Sequence, residues 1–92
     1  MNTFCVYYDL EEPDGQYQIL SNYLCSFPGF TRVGERMWLI NTNTTCANIR
    51  DEVYGLNMPA GFVLMICKVG EDWAAHGLRD QTSQWLRNDW KP

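Results

Sequence analysis

The stretch Met37-Trp38-Leu39-Ile40-Asn41-Thr42-Asn43-Thr44-Thr45-Cys46-Ala47-Asn48-Ile49-Arg50-Asp51-Glu52-Val53-Tyr54-Gly55 changes its hydrophobic period part-way along, and that change decides the fold. Its first six residues alternate, with Trp38 and Ile40 on one side and Met37, Leu39 and Asn41 on the other, which is the pattern of a strand from Met37 to Thr42. Asn43-Thr44-Thr45 then supplies helix-capping chemistry. Thr45 is the expected cap, its oxygen accepting the free N–H of Asn48. Cys46, Ile49 and Val53 recur at helical spacing, so a helix is predicted over Cys46–Tyr54, stopped by Gly55.

Moving outward, Thr31–Val33 reads as a strand joined to Met37–Thr42 by a tight turn at Gly34-Glu35, a hairpin. Before it, Tyr17, Leu20, Leu24 and Phe27 follow helical spacing over residues 16–27, and Pro28-Gly29 ends that helix. Pro13-Asp14-Gly15 carries a turn signal, and Thr3–Asp9 is rich enough in β-branched and aromatic residues to be a strand. Downstream, Pro59-Ala60-Gly61 leads to a strand over Phe62–Val69, apolar almost throughout as a central strand covered on both faces should be. The order strand, helix, strand, strand, helix, strand predicts an α+β fold of ferredoxin-like βαββαβ type, a four-stranded antiparallel sheet with two helices on one face. A loop over Gly70–Gly77 holding Trp73 and His76 follows. A C-terminal helix over Gln81–Asn88 completes the chain, with Asp80 as cap and Trp85 and Leu86 facing inward. Ninety-two residues give one domain, 1–92, with no room for a second core.

A hydrophobic fraction of 46% and an aromatic fraction of 14% suffice for a packed interior. The longest apolar run, Phe62–Cys67, is strand-sized and far short of the roughly 20 residues of a membrane span. The N-terminus lacks the basic start and apolar stretch of a signal peptide, so a cytoplasmic location is expected. Net charge is −4, no Lys or Arg precedes Arg32, and Asp9, Glu11, Glu12 and Asp14 crowd one short stretch. That balance argues against non-specific binding to DNA or RNA, which depends on neutralising phosphates, and suits a basic partner. The four cysteines, Cys5, Cys25, Cys46 and Cys67, form no C-x-x-C pair and have no histidine at ligand spacing. They are read as small apolar groups in strands and helices.

Asp9, at the C-terminal end of the first strand, is the one candidate catalytic and metal-binding residue. A single carboxylate is a weak Mg²⁺ site, and Glu11, Glu12, Asp14 or a second copy of Asp9 in a symmetric dimer can complete it. His76, the only histidine, has no nucleophile beside it in sequence and is read as closing a turn before Gly77. No G-x-S-x-G, H-E-x-x-H, P-loop or Rossmann glycine pattern is present. Arg32, Arg36 and Arg50 with Trp38 form a candidate interaction patch, since arginine and tryptophan are favoured interface anchors. The alternative is a solvated hairpin with Trp38 in the core. Both faces of the first and third strands carry large apolar groups, so the helix-free face is expected to be covered by a dimer or a protein partner.

Tyr8-Asp9-Leu10, Met37-Trp38-Leu39-Ile40, Ile49-Arg50-Asp51 and the tail from Trp73-Ala74-Ala75 through Ser83-Gln84-Trp85-Leu86 resemble small bacterial and phage proteins labelled SinR-like. These are similar in turn to the small CRISPR adaptation subunit and to virulence-associated protein D. The resemblance implies a ferredoxin-like fold, symmetric dimers and, as in some members, a metal-dependent nuclease using an aspartate at the end of the first strand, the position of Asp9. The acidic stretch after Asp9 departs from the basic surface such a nuclease needs. Two functions follow as expectations. One is a member of these nuclease-like families acting in a defence or toxin system through RNA or protein binding, with little or no catalysis. The other is a phage-encoded inhibitor of anti-CRISPR type that binds a bacterial defence nucleoprotein complex through Glu11, Glu12, Asp14, Arg32 and Arg36.

Overall fold

A computed structural model describes the backbone of residues 1–10 and 14–92 and the side chains of 1–10 and 17–92. The elements are β1 (Asn2–Asp9), α1 (Asp14–Leu24), β2 (Gly29–Gly34), β3 (Met37–Thr42), α2 (Cys46–Tyr54), β4 (Val63–Lys68) and α3 (Asp80–Asp89). β1 pairs antiparallel with β3, from Asn2 opposite Thr42 to Tyr7 opposite Met37, and with β4, from Phe4 opposite Lys68 to Asp9 opposite Val63. β2 pairs antiparallel with β3, so the sheet order is β2-β3-β1-β4. β1 and β2 therefore run parallel with β3 between them, and β3 and β4 run parallel with β1 between them. Two β-α-β units are interleaved in one sheet, the ferredoxin-like α+β arrangement the sequence predicts.

Alternation along the strands builds a core on one face. Phe4, Val6, Tyr8, Trp38 and Ile40 pack against Leu20 and Leu24 of α1 and Ile49 and Val53 of α2. Each such side chain contributes about 1.5–3 kcal/mol when fully buried. The two polar atoms carried into this core satisfy each other: Trp38 Nε1 donates to Tyr8 Oη at 3.0 Å. Tyr23 Oη donates to Glu52 Oε1 at 2.7 Å and ties α1 to α2. Burial and that hydrogen bond push the Tyr23 pKa well above the ordinary tyrosine range. α2 starts as its sequence predicts, with Thr45 accepting from the Asn48 N–H at 3.2 Å.

α3 lies on the other face of the sheet, over β2. Its buried residues are Thr82 and Leu86, and Thr82 Oγ1 donates to the Arg32 carbonyl at 2.9 Å. Asn41 Nδ2 donates to the Asp89 carbonyl at 2.7 Å, and Thr3 Oγ1 donates to Asn41 Oδ1 at 2.6 Å. Past the helix, the Lys91 N–H donates to Thr3 Oγ1 at 2.8 Å and the Thr3 N–H to the Lys91 carbonyl at 3.0 Å. Trp90 Nε1 donates to the Val69 carbonyl at 3.1 Å. The polar row Thr3, Asn41 is thus buried under the chain's own tail and fully bonded, as buried polar groups must be.

Several local expectations are corrected. β2 extends over Gly29–Gly34 with a bulge between Arg32 and Gly34, so the hairpin turn falls at Glu35-Arg36 rather than Gly34-Glu35. Asp14 and Gly15, expected in a turn, belong to the first turn of α1, which ends at Leu24 rather than Phe27. There the Ser26 N–H bonds the Tyr23 carbonyl at 3.0 Å and the chain tightens towards Pro28. Asp80 lies inside α3, whose N-cap residue is Arg79 and has no side-chain cap bond. β4 is an edge strand rather than a central one, because only β1 pairs with it. Its apolar run covers one face with Leu64 and Ile66 and leaves Val63, Met65 and Cys67 exposed on the other.

Candidate docking surface

The second face of the sheet is covered in part. α3 and the loop over residues 70–79 shield β2, the Leu39 end of β3 and the start of β1. Among the described residues, none covers the C-terminal half of β1 or the open face of β4. Register aligns Met37, Tyr7 and Met65 as one row across β3, β1 and β4, because Tyr7 is opposite Met37 on one side and Met65 on the other. Tyr7, Met37 and Val63 are each more than a third exposed, and Met65 is 64% exposed. Val63, opposite Asp9, continues the row towards the strand ends. An uncharged strip four side chains long, beside a strand whose outer edge has no ladder partner among the described residues, is the kind of surface that proteins use for association.

Asp9 stands at the rim of this strip. Its Oδ1 lies 3.3 Å from Arg36 Nε, both side chains being about half exposed. The β2–β3 turn places Arg36 there: the Tyr8 N–H donates to the Arg36 carbonyl at 2.9 Å, which continues the β1–β3 ladder into the turn. The Tyr17 hydroxyl and then the Asp9 carboxylate raise the Arg36 pKa above its ordinary value. Asp9 therefore meets a fixed positive charge, which competes for the oxygen a divalent cation needs. Among the described residues, no three His, Cys, Asp or Glu side chains gather as metal ligands. Glu11, Glu12 and the side chain of Asp14 lie outside the described residues.

The arginine–tryptophan patch resolves into two parts. Trp38 is 5% exposed and belongs to the core, bonded to Tyr8. Arg32 is exposed but folds back on its own hairpin: Nε donates to the Gly34 carbonyl at 2.9 Å and a terminal nitrogen to the Glu35 carbonyl at 3.2 Å. Its guanidinium carbon sits 5.9 Å from the Trp38 ring. Arg32 thus fixes the turn that presents Arg36. Arg50, on α2 and paired with Asp51 at 3.1 Å, is on another side of the molecule.

His76 is exposed in the loop over residues 70–79, where a turn before Gly77 is expected, and Gly77 follows with φ +75°. Two shallow cavities meet along this loop. One of about 330 Å³ is lined by Cys5, Leu39, Trp73 and Leu86; the other, of about 280 Å³, adds Ser83 and Arg87. His76 borders both and hydrogen-bonds to none of their polar groups among the described residues.

No family model matches the chain, and neither a curated protein nor a solved structure matches it. The strip is half legible in sequence: alternation separates Met37 from Trp38 and Tyr7 from Tyr8, but both sides are apolar and only the packing of α1 and α2 on Trp38 and Tyr8 decides which side is helix-free. Val63 and Met65 were missed because a run that is apolar at every position gives no period to separate its faces. The Asp9–Arg36 pair was missed because it depends on where the bulge shifts the hairpin turn.

Proposed function

We propose that this chain is a binding protein of a defence or toxin system that works as a symmetric dimer and by occupation rather than catalysis. The observation that carries the reading is the bare strip Met37-Tyr7-Met65 with Val63, next to the open β4 edge. A second copy fits it because the strip is self-complementary. Its centre carries no charge, so two copies face without repulsion there, and its rim carries both signs in Asp9 and Arg36. The defence setting rests on the resemblance to the small CRISPR adaptation subunit. The net charge of −4 supports a protein or nucleoprotein target over free nucleic acid.

The competing reading is a metal-dependent endoribonuclease at Asp9. Purified protein incubated with RNA or DNA in Mg²⁺ or Mn²⁺ is expected to leave both intact. Divalent-dependent cleavage that disappears in Asp9→Ala and persists in Arg36→Ala would replace the binding reading with the enzymatic one.

A further inference from the structure

Cys5 and Cys67 are opposite each other on β1 and β4, on the face that bears the strip. The Val69 N–H donates to the Thr3 carbonyl at 2.8 Å, and residues two apart on a strand point the same way. Cys5 and Cys67 therefore occupy a hydrogen-bonded cross-strand pair, with a Cα separation of about 5.5 Å. That separation falls inside the roughly 4.4–6.8 Å that a disulfide spans. The two thiols differ in access. Cys67 is exposed on the edge strand, while Cys5 is half-buried and lines the cavity beneath Trp73. Neither bonds any other side chain among the described residues, and no other cysteine is paired in register with either.

We propose that Cys5 and Cys67 are a redox-active dithiol, a modification site that closes to an intramolecular disulfide by exchange with low-molecular-weight disulfides. The Cys67 thiolate attacks one sulfur of the small disulfide, forming a mixed disulfide and expelling one small thiolate. Cys5 then gives its proton to water and attacks the Cys67 sulfur, forming the cross-strand bond and expelling the second small thiolate. Two electrons pass from the protein to the small disulfide, which leaves as two thiols. Burial, with Cys67 beside it, pushes the Cys5 thiol up to about 11, so the second step is the slow one at neutral pH. The product staples the edge strand to the centre of the sheet one row from the strip. This inference does not rest on the dimer.

The test uses the full chain carrying Cys25→Ser, incubated in glutathione buffers of graded ratio, quenched in acid, alkylated with N-ethylmaleimide and digested with trypsin. The expected product has no covalent link between chains, is lighter by two hydrogen atoms, and gives a linked pair of peptides ending at Arg32 and Lys68. In that background Cys5 is the only cysteine in the first peptide. Closure should accelerate about tenfold per pH unit below the Cys5 pKa, and Cys5→Ser should leave a stable glutathione adduct on Cys67. Three results overturn the proposal: a Cys67 adduct that never closes in the presence of Cys5, a link that involves Cys46, or a Cys67–Cys67 link between two chains. The last would still agree with the dimer, so the two ideas fail separately.

Discussion

Replacing Leu86 by Ala tests whether the chain covers its own sheet. Leu86 is 7% exposed and is the larger of the two buried side chains that α3 presents to β2 and β3. Leu→Ala at a buried site costs about 2–5 kcal/mol. Leu86 borders two cavities of about 330 and 280 Å³, so it has fewer contacts to lose and the lower end, about 2–3 kcal/mol, applies. The easiest opening it promotes should be local. α3 and the tail are held by Leu86, Thr82, the Asn41–Asp89 bond and the Thr3–Lys91 bonds, none of which belongs to the core under α1 and α2. A local opening easier by that amount speeds amide exchange roughly 30- to 150-fold. Native-state hydrogen exchange by NMR should show this at the Ser83 and Lys91 N–H groups, which in the wild type are less protected than the Val6 and Ile40 ladder amides; the latter open only with the whole fold and accelerate by the same factor, so the gap between the two sets persists. Wild-type Ser83 and Lys91 amides as protected as those of Val6 and Ile40, or no change at Ser83 in the variant, refutes the separate layering of the two faces.

Tyr8→Phe removes the acceptor of the Trp38 Nε1 hydrogen bond in a fully buried setting. It should cost about 1–3 kcal/mol, read as a thermal midpoint lower by about 4–8 °C per kcal/mol, and a variant melting with the wild type would show the bond is worth nothing. Stability should also fall in alkali. The Cys5 thiol is raised from 9.0 to about 11 on folding, so above pH 9 the unfolded chain loses its proton first, and the stabilisation present below pH 9 drains away as the pH rises to about 11. Urea midpoints followed through that window should decline, and Cys5→Ser should flatten the decline; Tyr23, raised further, adds its own loss at higher pH.

What sequence reading captured and what it missed divide along physical lines. β3 and α2 were read to the residue because a period change, a capping threonine and a stopping glycine all sit within one stretch. The ends of α1 and β2 were not, since Asp14-Gly15 suits a helix start as well as a turn and the bulge after Arg32 leaves no mark in composition. Trp38 was weighed both as interface anchor and as core; only its partner Tyr8, thirty residues away, decides for the core. The cysteines were read as inert packing groups, yet Cys25 and Cys67 are exposed. Cys5 meets Cys67 only through the β1–β4 register, a long-range pairing that spacing along the chain does not express. For Asp9 the position at the strand end was correct, while its guanidinium partner came from the far end of a hairpin.

Docking of a second copy on the strip around Met65 is tested most directly by sedimentation equilibrium of the wild type beside Met65→Glu. Met65 is 64% exposed, so the substitution should leave monomer stability within about 0.5 kcal/mol while placing a charge at the centre of the uncharged strip. Docking through the strip gives a wild-type mass that rises from monomer to dimer with concentration, and a Met65→Glu protein that stays monomeric with an unchanged melting curve. A wild type that stays monomeric throughout, or a Met65→Glu dimer as tight as the wild type, contradicts it.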